Sequence, residues 1–197
     1  DRLRRVATVA PDPTLMTHLA NADDRRDAMT AEQLRSFAAT TGGLAGARSI
    51  ANSAALLAWP VTRTDWVRPG LMLYGLSPFP SGTGAELGLR PVMTLQTVVI
   101  AVKDVRAGET VGYGGAWRAP RETRLAVVAA GYGDGYPRSV ESGTPVLVNG
   151  HRAPLVGRVS MDMVTVDDTD LPGVATGAPV VLWGEGVPVE EIARHAG

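Results

Sequence analysis

The chain has 197 residues, 45% apolar and 20% charged, with a net charge of −1, the balance of an ordinary globular protein with no global field toward nucleic acid or anionic membrane. No apolar run reaches the roughly 20 residues of a membrane span. Cysteine is absent, which excludes a disulfide framework and thiolate chemistry and favours the cytoplasm.

The chain opens on DRLRRVATVA, with neither an initiator methionine nor a secretory leader, and closes on EEIARHAG; both ends read as cut. Its first third alternates short apolar runs with helical patterns. TLMTHLA (14–20) reads as a buried strand. TAEQLRSFAATTGG (30–43) reads as a helix, with Thr30 as cap, Gln33 closing a capping box, Leu34, Phe37 and Ala38 on one face, and Gly42 and Gly43 as the stop. RSIANSAALLAWP (48–60) passes from a short strand into a helix that Pro60 ends, and DWVRPGLMLYGL (65–76) is another strand with a following turn. This is the rhythm of parallel βα units, whose functional loops lie at the strand C-terminal ends.

SPFPSGTGAELG (77–88) is the best linker in the sequence, which sets the expected domains at 1–88 and 89–197. Beyond it, VMTLQTVVIAVKDV, TRLAVVAAGY, TPVLVNG, HRAPLVGRV, MVTVDD and APVVLWG are strands punctuated by turns, and Asn149-Gly150 marks a hairpin. The expected class is therefore α/β plus β, with a barrel or sandwich in the second part. About 90 residues cannot close an eight-fold α/β barrel, which takes about 250. The first domain is either a different α/β fold or part of a larger one.

Several strand ends carry candidate chemistry. Asn52 and Ser53 sit where a strand turns into a helix, and can be read as an anion site or as a plain N-cap. Arg68, Pro69 and Gly70 end the next strand. Gly70 allows close backbone approach, so its amide and that of Leu71 could hold a phosphate beside the permanent charge of Arg68. His18 ends an apolar run and reads as structural or as a partner that orients Arg68. In the β region, GYGDGYPR carries Tyr132, Asp134, Tyr136 and Arg138, and VGRVSMDMV carries Arg158, Ser160 and Asp162. Both read as turn chemistry or as the lining of a polar entrance. AGETVGYGGAWRA sets Tyr113 among glycines. His18, His151 and His195 are scattered without ligand spacing, so no metal site is expected.

LMTHLANAD, ANSAALL, WVRPGLMLYGLSP, VGYGGAW, GYGDGYPR and VGRVSMDM, in that order, closely resemble bacterial alanine racemase over essentially the whole chain. The resemblance implies part of an N-terminal (β/α)8 barrel carrying pyridoxal phosphate, then a mostly β domain. It also implies a cytoplasmic head-to-tail homodimer with sites at its interface, acting on alanine to supply D-alanine for peptidoglycan, without nucleic-acid or membrane partners. One feature departs from the family: the lysine that holds the cofactor, in a motif like V-K-A-N-A-Y-G-H-G, is absent. The only lysine, Lys103, lies in the β region. The chain thus reads as a fragment, inactive alone, that lacks the early part of the barrel and the extreme C-terminus.

Carried over residue by residue, the resemblance assigns Ser53 with the amides of Gly70 and Leu71, beside Asn52, to the cofactor phosphate. Arg68 faces the pyridine nitrogen and His18 hydrogen-bonds this arginine. An arginine there leaves the ring nitrogen unprotonated, which limits carbanion delocalisation and suppresses transamination. Tyr113 becomes the catalytic base for L-alanine, acting in the partner's site. The Met161 N–H receives the substrate carboxylate, Tyr132 stands at the inner gate, and Arg138 and Arg158 line the entrance. Ser160 stands where many relatives have cysteine. The alternatives are a racemase of broader specificity or a serine racemase, and a non-catalytic relative that binds pyridoxal phosphate.

Overall fold

A computed structural model describes residues 13–197. The chain divides into two compact units that meet in sequence between Arg90 and Pro91.

In the first unit, β1 (Leu15–Met16) pairs in parallel with β2 (Arg48–Ser49), and Ser49 makes a single parallel bridge to Trp66. The three successive strand ends therefore lie side by side, as parallel βα units require. Each strand is far shorter than its apolar run: the run reports burial, while the ladder holds only two residues. The expected third strand is reduced to the Trp66 bridge, followed by a 3-10 turn over Leu71–Tyr74. Helix α1 (Met29–Thr41) and helix α2 (Ser53–Ala58) flank these strands. Leu34 and Phe37 of α1 pack on a small core of Leu19, Ala22, Ile50, Ala51, Ala54 and Ala55.

The expected capping box is not formed. Thr30 is fully buried inside the first turn of α1, and its hydroxyl has no partner among the described residues. The Asp27 carboxylate instead accepts the Met29 N–H at 2.8 Å. That bond, helped by one from the Asn21 side chain, holds the Asp27 carboxyl below its usual range. Gln33 is spent elsewhere: its Oε1 accepts the Ala20 N–H at 3.0 Å and its Nε2 donates to the His18 carbonyl at 3.3 Å. The helix is tied to the loop after β1 rather than capped by its own side chains. Helix α2 follows the sequence more closely. Asn52 caps it through Oδ1 to the Ala55 N–H at 3.0 Å, and Pro60 opens the next turn after Trp59.

The second unit is a closed barrel of six antiparallel strands. Its members are β3 (Leu95–Val105), β6 (Thr123–Val128), β7 (Pro145–Val148), β8 (His151–Val156), β9 (Val164–Asp167) and β10 (Pro179–Trp183), in spatial order β10-β3-β6-β9-β8-β7. Strand β10 pairs with both β3 and β7, which closes the ring. Alternation fills the interior with Val128, Val146, Val148, Leu155, Val164, Val166, Val180 and Leu182, all buried, as period-2 patterning requires. The β7–β8 hairpin turns on Asn149 and Gly150, both with positive φ (50° and 78°), the backbone an Asn-Gly turn supplies. A separate short pair, β4 (Thr110–Val111) with β5 (Trp117–Arg118), carries the loop that holds Tyr113.

Register brings two other loops to one end of the barrel. Val128, at the end of β6, faces Val164 at the start of β9, and Val156, at the end of β8, faces Thr165. The loops that follow β6 and β8 leave together. Below the first of them, Tyr136 is 1% exposed and stacks on Trp183, ring centroids 5.8 Å apart. Helix α3 (Val189–Ala196) is fixed by Ile192, which is buried, and by a two-pronged pair in which Arg152 donates to both Glu191 oxygens at 2.9 and 2.8 Å.

Burial pushes the Tyr136 phenol up to about 12. Its neutral form is favoured by the fold, so the stabilisation is complete below the ordinary phenol value near 10 and fades as pH rises through about 12. Tyr136→Phe is expected to cancel that fade: urea titrations at pH 8 and pH 11.5 will show the parent losing about 2 kcal/mol relative to the variant. Arg152→Ala is expected to speed amide exchange across 189–196 while leaving the barrel strands protected.

Candidate functional site

In the first unit the chemistry gathers at the strand ends. Arg68 is partly buried and ties all three together. Its Nη1 donates to Ser49 Oγ at 2.6 Å, and its Nη2 donates to the carbonyls of Thr17 at 2.8 Å and Ile50 at 3.3 Å. Its own N–H donates to the Ala51 carbonyl at 2.8 Å. These oxygens fix the guanidinium plane. The expected bond between His18 and Arg68 is not made: the neighbouring Thr17 carbonyl takes the arginine, and the His18 ring stands exposed.

Next to it, Ser53 is buried at the start of α2, and its hydroxyl oxygen accepts the N–H groups of Gly70 at 2.8 Å and Met72 at 3.4 Å. The Gly70 amide is therefore already engaged, while the Leu71 N–H has no partner among the described residues. Space is open on Gly70, with no atom within 4 Å of where a Cβ would stand. Asn52 is structural in this arrangement, capping α2 and donating through Nδ2 to the Leu19 carbonyl at 3.1 Å.

In the second unit the loop between β4 and β5 presents Tyr113, 70% exposed. Gly112, Gly114 and Gly115 around it all have positive φ (80°, 71° and 58°), a path that side chains other than glycine resist. Gly112 packs on the chain at Gly157 and Arg158. Tyr113 and Gly112 line an open cavity of about 420 Å3 with Ser160, Met161, Asp162 and Met163. Met161 is 54% exposed, and its N–H has no partner among the described residues. Arg138 lies over the Tyr132 ring, 5.7 Å from its centroid. Arg138 and Arg158 line a second open cavity of about 740 Å3 with Glu141 and Ser142. Among the described residues no group of His, Asp or Glu is placed to hold a metal ion, and no helix is long and apolar enough to cross a membrane.

Residues 9–78 match the family model for the alanine racemase N-terminal domain, and residues 92–197 that for the C-terminal domain. The chain belongs to the alanine racemase family. An alanine racemase of Nitrosococcus oceani is 55% identical over 99% of this chain and 54% of its own length. The crystal structure of the biosynthetic alanine racemase from Pseudomonas aeruginosa matches with a TM-score of 0.92 at 49% identity, over 100% of this chain and 55% of that one. An alanine racemase from Bartonella henselae, solved with covalently bound pyridoxal phosphate, matches with a TM-score of 0.81 at 33% identity, over 92% of this chain and 50% of that one. The chain spans about half the length of the curated relatives it matches.

Within this alanine racemase architecture, sequence reasoning missed Gly131 and read Asp134 only as turn chemistry or the lining of an entrance. Gly131 runs so close to Ser160 and Met161 that a Cβ there would overlap both of their carbonyl oxygens. Asp134 accepts the Gly131 N–H at 2.9 Å. Both sit in GYGDGYPR, where Gly-Asp-Gly reads as turn composition and nothing signals the distant contact. Gly131→Ala is expected to cost about 1–3 kcal/mol, because the clash is with backbone that cannot rotate away; a thermal melt of the variant will measure it.

Proposed function

We propose that this chain forms part of a pyridoxal-phosphate-dependent alanine racemase that interconverts L- and D-alanine in the cytoplasm, supplying D-alanine for peptidoglycan. The observation that carries the reading is the pairing of an exposed phenol, Tyr113, with a free main-chain donor, the Met161 N–H, on one cavity.

The first unit fits the cofactor's anionic end. The Ser53 oxygen is filled as an acceptor by Gly70 and Met72, so its proton points outward for donation to a phosphate. The unengaged Leu71 N–H and the open space on Gly70 complete the cradle. Arg68, held by three oxygens, would face the pyridine nitrogen of a bound cofactor as a cation of fixed orientation, and its charge would keep that nitrogen unprotonated. Pyridoxal phosphate, when bound, supplies the electron sink that makes the α-hydrogen of the amino acid acidic.

This chain's residues then bind the substrate and move one proton. The Met161 N–H receives the carboxylate and sets the α-carbon's orientation. Tyr113 takes the α-proton of L-alanine on one face and returns it in the opposite direction. Arg138 and Arg158 draw in the small zwitterion, and Tyr132, stacked under Arg138, narrows its route. Racemisation needs a second base on the other face. Lys103, the one lysine of the sequence, is exposed on β3 opposite Leu125, on neither the phosphate cradle nor the Tyr113 cavity, so we assign that base to the rest of the full-length enzyme, of which this chain spans about half. The active form is a homodimer in which Tyr113 of one protomer serves the cofactor of its partner.

In the full-length enzyme carrying this sequence, Tyr113→Phe is expected to slow α-hydrogen exchange of L-alanine in heavy water by about 100-fold or more, read by proton NMR. Exchange at the parent rate rules out the role of Tyr113. The 197-residue chain by itself is expected to show no racemisation of either enantiomer with pyridoxal phosphate added, followed by chiral chromatography.

A further inference from the structure

We propose that Asp134 is a positioning residue that orients the Met161 N–H toward the substrate carboxylate. The proposal rests on the carboxylate role given to Met161 above.

The Met161 N–H belongs to the peptide plane whose other polar end is the Ser160 carbonyl. In a trans peptide the two point in opposite directions, so whatever holds the carbonyl aims the N–H. Here the Tyr132 N–H donates to the Ser160 carbonyl at 3.0 Å, and the Gly133 N–H donates to the next carbonyl, that of Met161, at 2.8 Å. Two successive planes of the 160–162 loop are thus held from behind by two successive amides of the 131–135 turn. Hydrogen bonding at the carbonyl also polarises the N–H at the far end.

Those two donors lie in line only while the turn is closed. The Asp134 N–H donates to the Gly131 carbonyl at 3.1 Å, and the Gly135 N–H to the Tyr132 carbonyl at 3.2 Å. The side-chain bond is the one a substitution can remove: Asp134 Oδ2 accepts the Gly131 N–H at 2.9 Å, a charge-assisted bond of the stronger kind. It folds the side chain back over the start of the turn, and the missing Cβ of Gly131 lets the turn lie directly on the two carbonyls it grips. Tyr136, buried and stacked on Trp183, anchors the other end of the turn. The Asp134 carboxylate has no other hydrogen-bond or charge partner among the described residues. Its side chain serves the turn alone.

The test uses the full-length, cofactor-loaded enzyme carrying this sequence. Asp134→Ala is expected to raise KM for both L- and D-alanine by about 3- to 10-fold while kcat stays within about twofold, because a carboxylate contact acts on bound substrate and transition state alike. Asp134→Asn keeps an oxygen for the Gly131 N–H and is expected to restore KM to within about twofold of the parent. Amide exchange of Tyr132 and Gly133 is expected to be slow in the parent and in Asp134→Asn, and faster in Asp134→Ala. The parent measurement stands even where Asp134→Ala does not fold, and exchange there at open-loop rates overturns the proposal. So does Asp134→Ala with both KM and exchange at parent values, which leaves the role of Met161 intact. Faster exchange with unchanged KM overturns the Met161 role, and the proposal with it. Equal losses of kcat in the Ala and Asn variants show that charge, not positioning, is what Asp134 supplies.

Discussion

Closure of the six-stranded barrel is the constraint from which the second unit follows. Because β10 pairs with β3 on one side and β7 on the other, no barrel strand can slip without breaking a ladder on its far side. That fixed register is what delivers the ends of β6 and β8 to the same rim. The loops leaving those ends carry Tyr132, Asp134 and Arg138 on one side and Arg158, Ser160 and Met161 on the other. Their mutual grip is made of backbone amides and carbonyls, so it needs the strand ends placed to within a hydrogen bond's tolerance. A sandwich with free edges would leave that spacing softer.

The first unit solves a different problem with a single side chain. Its ladders are two residues long, too short to hold three strand ends in register by themselves. Arg68 adds contacts to Ser49, Thr17 and Ile50, and in doing so gives up the side-chain freedom that a solvated arginine keeps. A cation held by three bonds to fixed oxygens presents one face in one orientation. Charge held in this way needs no reorganisation to act on a neighbouring group.

Much of this was legible in the sequence, and the exceptions share a cause. Asn149-Gly150 announced the β7–β8 hairpin because two positive-φ residues are a local requirement. Asn52 announced its cap because its side-chain oxygen needs only an N–H one turn ahead, that of Ala55. The run VMTLQTVVIAVKDV announced a strand through alternation. Thr30 failed because a capping box is local only if its members are solvent-facing, and tertiary burial took Thr30 inward while Gln33 was drawn to Ala20 and His18. The run TLMTHLA failed as a long strand because apolar periodicity reports what is buried, not how many backbone groups pair. Gly131 was invisible for a third reason. Its neighbours lie across the barrel rim in the 160–161 loop, and no spacing within GYGDGYPR encodes that approach. Sequence motifs placed the candidate residues. Only the fold shows which of them hold the others in place.

The donor at position 161 belongs to the main chain. Every amino acid except proline has it, so the genetic code offers almost no single substitution there that deletes it. Arg68, Tyr113 and Ser53 can each be erased by one codon change. A small inhibitor whose carboxylate docked on this amide would keep that contact through nearly any mutation at the residue itself. Escape would have to come from a neighbour that re-aims the peptide. The crowded backbone at Gly131 leaves few such neighbours free to vary.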